Sequence, residues 1–112
     1  MLLLQLFRVV GVYVMSAVPR GDDIGGAEIR VRRLRLELED ELYTELNRRE
    51  TLRLRTETGR DATDANRALN ATRANVSVLR AKYDAACLEL ERLLDRRRQE
   101  NAARRALAVQ AL

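Results

Sequence analysis

The sequence predicts an all-α protein: a long antiparallel helical hairpin, coiled-coil-like, completed by dimerisation or by a partner. Three observations predict it. Beyond residue 26 the chain is built mainly from Leu, Ala, Arg and Glu, which are good helix formers, and Gly59 is the one later glycine. Apolar residues recur at helical spacing in two long stretches. The charges of those stretches match when the chain is folded back at Gly59.

Residues 1–26 read as an apolar N-terminal segment followed by a Gly/Pro linker. The apolar run 2–18 is interrupted by Gln5 and Arg8, whereas a bilayer span needs about 20 apolar residues. A signal peptide places its charge before the apolar stretch, and Pro19 is a poor residue after a Ser16-Ala17-Val18 cleavage point. The readings that stay open for this segment are a targeting or import sequence, a docking helix, and an upstream extension before Met15. Residues 19–26 (PRGDDIGG) read as a linker by composition.

The first helix is expected over residues 27–57. Val31, Leu34, Leu38, Leu42 and Leu46 recur at helical spacing and form its apolar stripe, flanked by Leu36, Tyr43 and Leu54. The break falls at Thr56–Asp61. Gly59 suits the left-handed position just past a helix end, and Asp61 suits a cap for the next helix.

The second helix is expected over residues 61–108. Leu69, Thr72, Val76, Leu79, Tyr83, Ala86, Leu90 and Leu93 follow a 3-4 alternation, the signature of a coiled-coil seam. The next seam positions are Arg97 and Glu100, so the stripe fades there. A parallel homodimer of this helix lacks complementary charges at the positions flanking the seam. The hairpin does better. Residues whose numbers sum to about 119 then lie side by side, so the acidic run from Glu37 to Glu45 meets Arg73, Arg80 and Lys82. Arg30, Arg32, Arg33 and Arg35 meet Asp84, Glu89 and Glu91, and Arg55 meets Asp64.

Two helices bury little surface by themselves, so a second surface is expected to bind a protein, either another copy or a helical partner. Leu36, Tyr43, Leu54, Cys87 and Leu94 are the candidates for it. The alanine-rich tail after residue 101 is a further place where residues 2–18 would dock.

The composition points away from catalysis. Histidine is absent, which removes the commonest general base and metal ligand. The single cysteine, Cys87, cannot form an internal disulfide or a thiolate-rich metal site. No glycine-rich phosphate loop occurs, and the carboxylates lie among arginines on exposed faces. The chain is therefore expected to have no cofactor and to be non-catalytic.

Net charge is +4, and the excess lies in residues 58–112, almost all of it arginine. Arg92, Arg96, Arg97, Arg98, Arg104 and Arg105 form a basic patch that suits an acidic partner or nucleic acid. No aromatic is interleaved with it, so base stacking is not favoured, and nucleic acid ranks below protein as the partner. A membrane ranks lower still. Asn70-Ala71-Thr72 and Asn75-Val76-Ser77 match the glycosylation pattern but fall inside a helix with Thr72 and Val76 on its seam, so both read as chance matches.

Glu41-Leu42-Tyr43, followed by Thr51-Leu52-Arg53-Leu54 and Glu57 in an Arg/Ala-rich helix, resembles the small helical tegument protein family of herpesviruses. The resemblance spans residues 32–95. It implies a chaperone-like adaptor that assists virion assembly or nuclear delivery of partners, located in the virion tegument and the host cytoplasm and nucleus. Without it, a cytoplasmic location is expected. The alternative expectations are a membrane-attached or organelle-imported coiled-coil protein and an Arg-rich nucleic-acid-binding protein.

Overall fold

The computed structural model describes residues 21–112, with side chains from Asp23 onward. Two helices account for nearly all of them: α1, Gly21–Glu57, and α2, Thr63–Ala111. At about 1.5 Å per residue they are roughly 55 and 73 Å long. They pack antiparallel as an all-α hairpin, and among the described residues there is no strand.

The turn between them is built as expected. Gly59 has φ +67°, the left-handed conformation that glycine adopts without a Cβ penalty. The Arg60 N–H donates to the Arg55 carbonyl at 2.9 Å, and the Gly59 N–H donates to the Thr56 carbonyl at 3.3 Å. That pair of bonds is a Schellman motif, which satisfies carbonyls left over at the end of α1. Open space surrounds the position where a Gly59 Cβ would stand, so backbone conformation alone selects glycine there.

Asp61 caps the start of α2 from just outside it. Its carboxylate accepts the Thr63 N–H at 3.0 Å and the Thr63 hydroxyl at 2.7 Å. The helix itself begins at Thr63, two residues later than expected, and its first bond runs from the Asn66 N–H to the Ala62 carbonyl. The Thr63 hydroxyl, then the Thr63 N–H, hold the Asp61 carboxyl below its ordinary pKa. The expected Arg55–Asp64 pair is replaced by a bond from the Arg55 guanidinium to the Asp61 carbonyl at 3.3 Å.

The other end of α1 departs from expectation. Residues 21–26 are not a linker but the first turns of α1. Each glycine costs a helix about 1 kcal/mol against alanine. Against that cost, Ile24 and Ala27 are half-buried at positions that continue the three-four spacing of the α1 seam, and Ala27 lines one groove with Ala86 and Leu93 of α2. The expectations for residues 1–20 lie outside the described residues.

The core is a narrow line between the helices. Leu34, Leu69, Val76 and Ala86 are buried, together with the polar Thr72. On α2 the expected seam holds throughout: Leu79, Tyr83, Leu90 and Leu93 are half-buried around those anchors. On α1, Val31, Leu34 and Leu38 face inward as expected, but Leu42 and Leu46 do not. They are 38 % and 57 % exposed, and the seam passes instead through Glu41, Glu45, Arg48 and Leu52. The reason is angular. A step of four residues advances about 400°, so each leucine of a strict four-residue run lands about 40° past the one before it. A two-helix seam needs alternating steps of three and four.

Candidate protein-interaction surface

Where α1 leaves the apolar pattern, a polar cluster joins the helices. Thr72 is fully buried, and its hydroxyl donates to the Ala68 carbonyl at 3.0 Å. The Arg48 guanidinium donates to the same hydroxyl at 2.5 Å and to the Ala68 carbonyl at 3.0 Å. One turn earlier, Glu45 takes Arg49 of its own helix at 3.3 Å and Arg73 of α2 at 3.7 Å. A threonine at a seam position thus has its second hydrogen-bonding demand met by an arginine from across the groove, as a buried hydroxyl requires. Sequence reasoning missed Arg48, although Val31, Leu34, Leu38, Glu41, Glu45, Arg48 and Leu52 keep the three-four spacing without a gap.

The hairpin register agrees with the expected charge match, but few of the charges meet directly. Glu45–Arg73 crosses between the helices. Arg30 and Glu89 line the same open groove, of about 690 Å³, with Asp23, Arg96 and the small residues Gly26, Ala27, Ala85 and Ala86. The neighbouring Cys87 raises the Tyr83 hydroxyl pKa, and the Arg35 charge on the facing helix opposes that shift. Other close ion pairs lie within one helix: Arg35–Glu39, Arg53–Glu50, Arg53–Glu57, Arg92–Glu89 and Arg98–Asp95. Exposed pairs of this kind contribute about 0.2–0.5 kcal/mol each to their own helix and do not set the register between the two. The long-chain acids and bases fold along their own helices because neighbours three and four residues away are nearer than the facing helix.

The partner-binding candidates divide. Leu36, Tyr43 and Leu54 are exposed on α1. Cys87 and Leu94 are half-buried on α2, next to the seam residues Ala86 and Leu93, and Leu94 lines a shallow groove with Glu91, Asp95 and Arg98. Two residues outside the candidate set belong with the exposed group. Ile29 is 65 % exposed and falls seven residues before Leu36, which is 53 % exposed; Tyr43, seven further on, is 67 % exposed. Leu46, displaced from the expected seam, extends this line three residues beyond Tyr43. The result is a second apolar line on α1, on the side facing away from α2.

The basic patch is exposed throughout, with Arg92 and Arg98 paired to acids of their own helix. In the hairpin register, α2 beyond Arg98 passes the start of α1, and residues 99–112 are all exposed. Leu107 and Val109 stand in that stretch at the far end of α2.

Among the described residues, no group of His, Cys, Asp and Glu side chains is placed to hold a metal ion, and no helix is long and apolar enough to cross a membrane. Comparison with known proteins gives no further purchase: no family model, no curated protein and no solved structure matches the chain.

Proposed function

We propose that this chain is a non-catalytic helical interaction protein whose binding face is the outward side of α1. The observation that supports this reading is the apolar line Ile29, Leu36, Tyr43 and Leu46, each more than half exposed on a helix whose opposite side already packs against α2. Exposed large apolar residues in a row mark interaction sites far more often than scattered ones do. The hairpin core is thin, which makes further burial against a partner favourable.

In its narrower form, the reading is an adaptor or chaperone-like protein of the herpesvirus tegument type, acting in the virion and in the host cytoplasm and nucleus. It is supported by the Glu41-Leu42-Tyr43 and Thr51-Leu52-Arg53-Leu54 resemblance alone.

The test is affinity capture with the full chain and with Leu36→Glu/Tyr43→Glu, both confirmed helical by circular dichroism. The reading expects the partner set, including any second copy of the chain, to be lost selectively with the variant. An unchanged set refutes a binding role for this face.

A second reading is favoured by the exposed arginines of α2. Nucleic-acid binding through Arg96, Arg97, Arg104 and Arg105 would weaken steeply with salt and with their replacement by alanine. Undetectable binding to duplex and single-stranded probes at low salt removes it.

A further inference from the structure

The outward face of α1 has an internal symmetry that selects its occupant. Around Leu36 the sequence reads Arg32-Arg33-Leu34-Arg35-Leu36-Glu37-Leu38-Glu39-Asp40, so that the charge at each step before Leu36 is reversed at the same step after it. At about 100° per residue, Ile29 and Tyr43 project within roughly 20° of Leu36, and Arg32, Arg33, Glu39 and Asp40 within roughly 60°. Arg32 and Glu39 fall on one side of the apolar line, and Arg33 and Asp40 on the other. All four charged side chains are exposed.

From this we propose that the chain forms a two-fold homodimer in which α1 packs antiparallel against α1 of a second copy, with the axis at Leu36. The proposal rests on the reading of α1 as a binding face and names its partner. A two-fold interface is self-complementary: residue i meets j of the other copy, and j meets i. Here Leu36 meets Leu36, Ile29 meets Tyr43, Arg32 meets Glu39 and Arg33 meets Asp40. Each ion pair occurs twice, flanking a central apolar column. A parallel arrangement sets Arg32 against Arg33 and Glu39 against Asp40 of the other copy, so like charges disfavour it. Two hairpins joined in this way make a four-helix assembly with the α1 helices central and both α2 helices outside, leaving the arginine-rich ends of α2 free.

The experiment is sedimentation velocity on the full chain at micromolar concentration, with helicity followed in parallel. Wild type is expected to be a dimer. Leu36→Glu is expected to raise the dimer dissociation constant at least about 30-fold, as for a central interface anchor, while the hairpin stays helical. Arg32→Glu with Arg33→Glu is expected to give monomers, and adding Glu39→Arg and Asp40→Arg is expected to restore the dimer. Orientation is read by oxidation in a Cys87→Ala background: a mixture of Ile29→Cys and Tyr43→Cys chains forms a disulfide-linked heterodimer, and neither alone links to itself. A monomeric wild type overturns the proposal, whether the face is open or covered by residues 1–20. So does a dimer indifferent to Leu36→Glu, or self-linking of the single variants. A folded monomer that still captures other proteins through Leu36 and Tyr43 leaves the general binding reading standing, whereas an unfolded wild-type chain removes both.

Discussion

The two halves of α1 solve the same packing problem differently. In the half far from the turn, Ile24, Ala27, Val31, Leu34 and Leu38 face α2, and the seam is apolar. In the half near the turn, Glu41, Glu45 and Arg48 take those positions, and Arg48 and Glu45 meet Thr72 and Arg73 through polar contacts. The leucines that would have continued the apolar seam are present, but at Leu42 and Leu46 they have rotated outward. Over its first half α1 carries an apolar seam toward α2 and, on the opposite side, the exposed Ile29 and Leu36; over its second half the seam turns polar and Leu42 and Leu46 join the exposed side. The contrast shows that counting leucines at helical spacing does not identify a seam; the spacing has to average three and a half residues.

The comparison is broken most severely by truncating one leucine from each half. Leu34→Ala removes a buried anchor and is expected to cost about 2–5 kcal/mol in thermal or denaturant unfolding. Leu46→Ala, measured at a concentration where the chain is monomeric, is expected to change stability by no more than about 0.5 kcal/mol. Equal losses would return Leu46 to the hairpin seam.

The turn sets the register that both halves share. Gly59→Ala meets no atom but forces an L residue to φ +67°, at an expected cost of about 1–2 kcal/mol. A neutral result would show that the turn relaxes into another geometry.

The polar half is sharpened by Thr72→Val, which keeps the shape and deletes the hydroxyl that Arg48 and Ala68 share. A loss of about 1 kcal/mol is expected, limited because Arg48 keeps its bond to the Ala68 carbonyl. A double-mutant cycle with Arg48→Ala should show coupling; strict additivity would mean that the contact carries no energy.

At the apolar end, Gly25→Ala and Gly26→Ala meet open space inside a helix. Each is expected to raise stability by about 0.5–1 kcal/mol. Destabilisation would place residues 21–26 outside the helix in solution.

The smallest effect is that of pH. Asp61 has a folded pKa below its ordinary 3.8, so the stability from its cap is complete above that value and is lost as pH falls through the lower, folded one. Asp61→Ala should flatten the acid limb of the stability curve over that range. An identical acid limb in the variant would show that the cap contributes nothing.

Much of this was legible in the chain itself. The α2 seam could be read because Leu69, Thr72, Val76, Leu79, Tyr83, Ala86, Leu90 and Leu93 keep strict three-four spacing, and the turn because Gly59 suits a left-handed helix end. The α1 seam was only half legible. Its inward positions near the turn are charged, and an inward Glu or Arg is recognisable only once its partner on the facing helix is known. Residues 21–26 were misleading for a related reason: glycine content speaks for a linker locally, while the half-burial of Ile24 and Ala27 that accompanies the helix there depends on α2, far away in sequence. The outward line Ile29, Leu36 and Tyr43 was half seen, through Leu36 and Tyr43, because an apolar residue every seven positions is inconspicuous beside the denser inward stripe.

The most direct measurement is thiol reactivity along the leucine run. Leu34→Cys, Leu38→Cys, Leu42→Cys and Leu46→Cys, each in a Cys87→Ala background and at dilution that keeps the chain monomeric, report the exposure of four successive positions. Reaction rates should rise from the slow Leu34 and Leu38 sites through Leu42 to a fast Leu46 site. Four equally slow sites would mean that the leucine run stays in the hairpin seam, and that the α1 seam does not give way to Glu41, Glu45 and Arg48 near the turn.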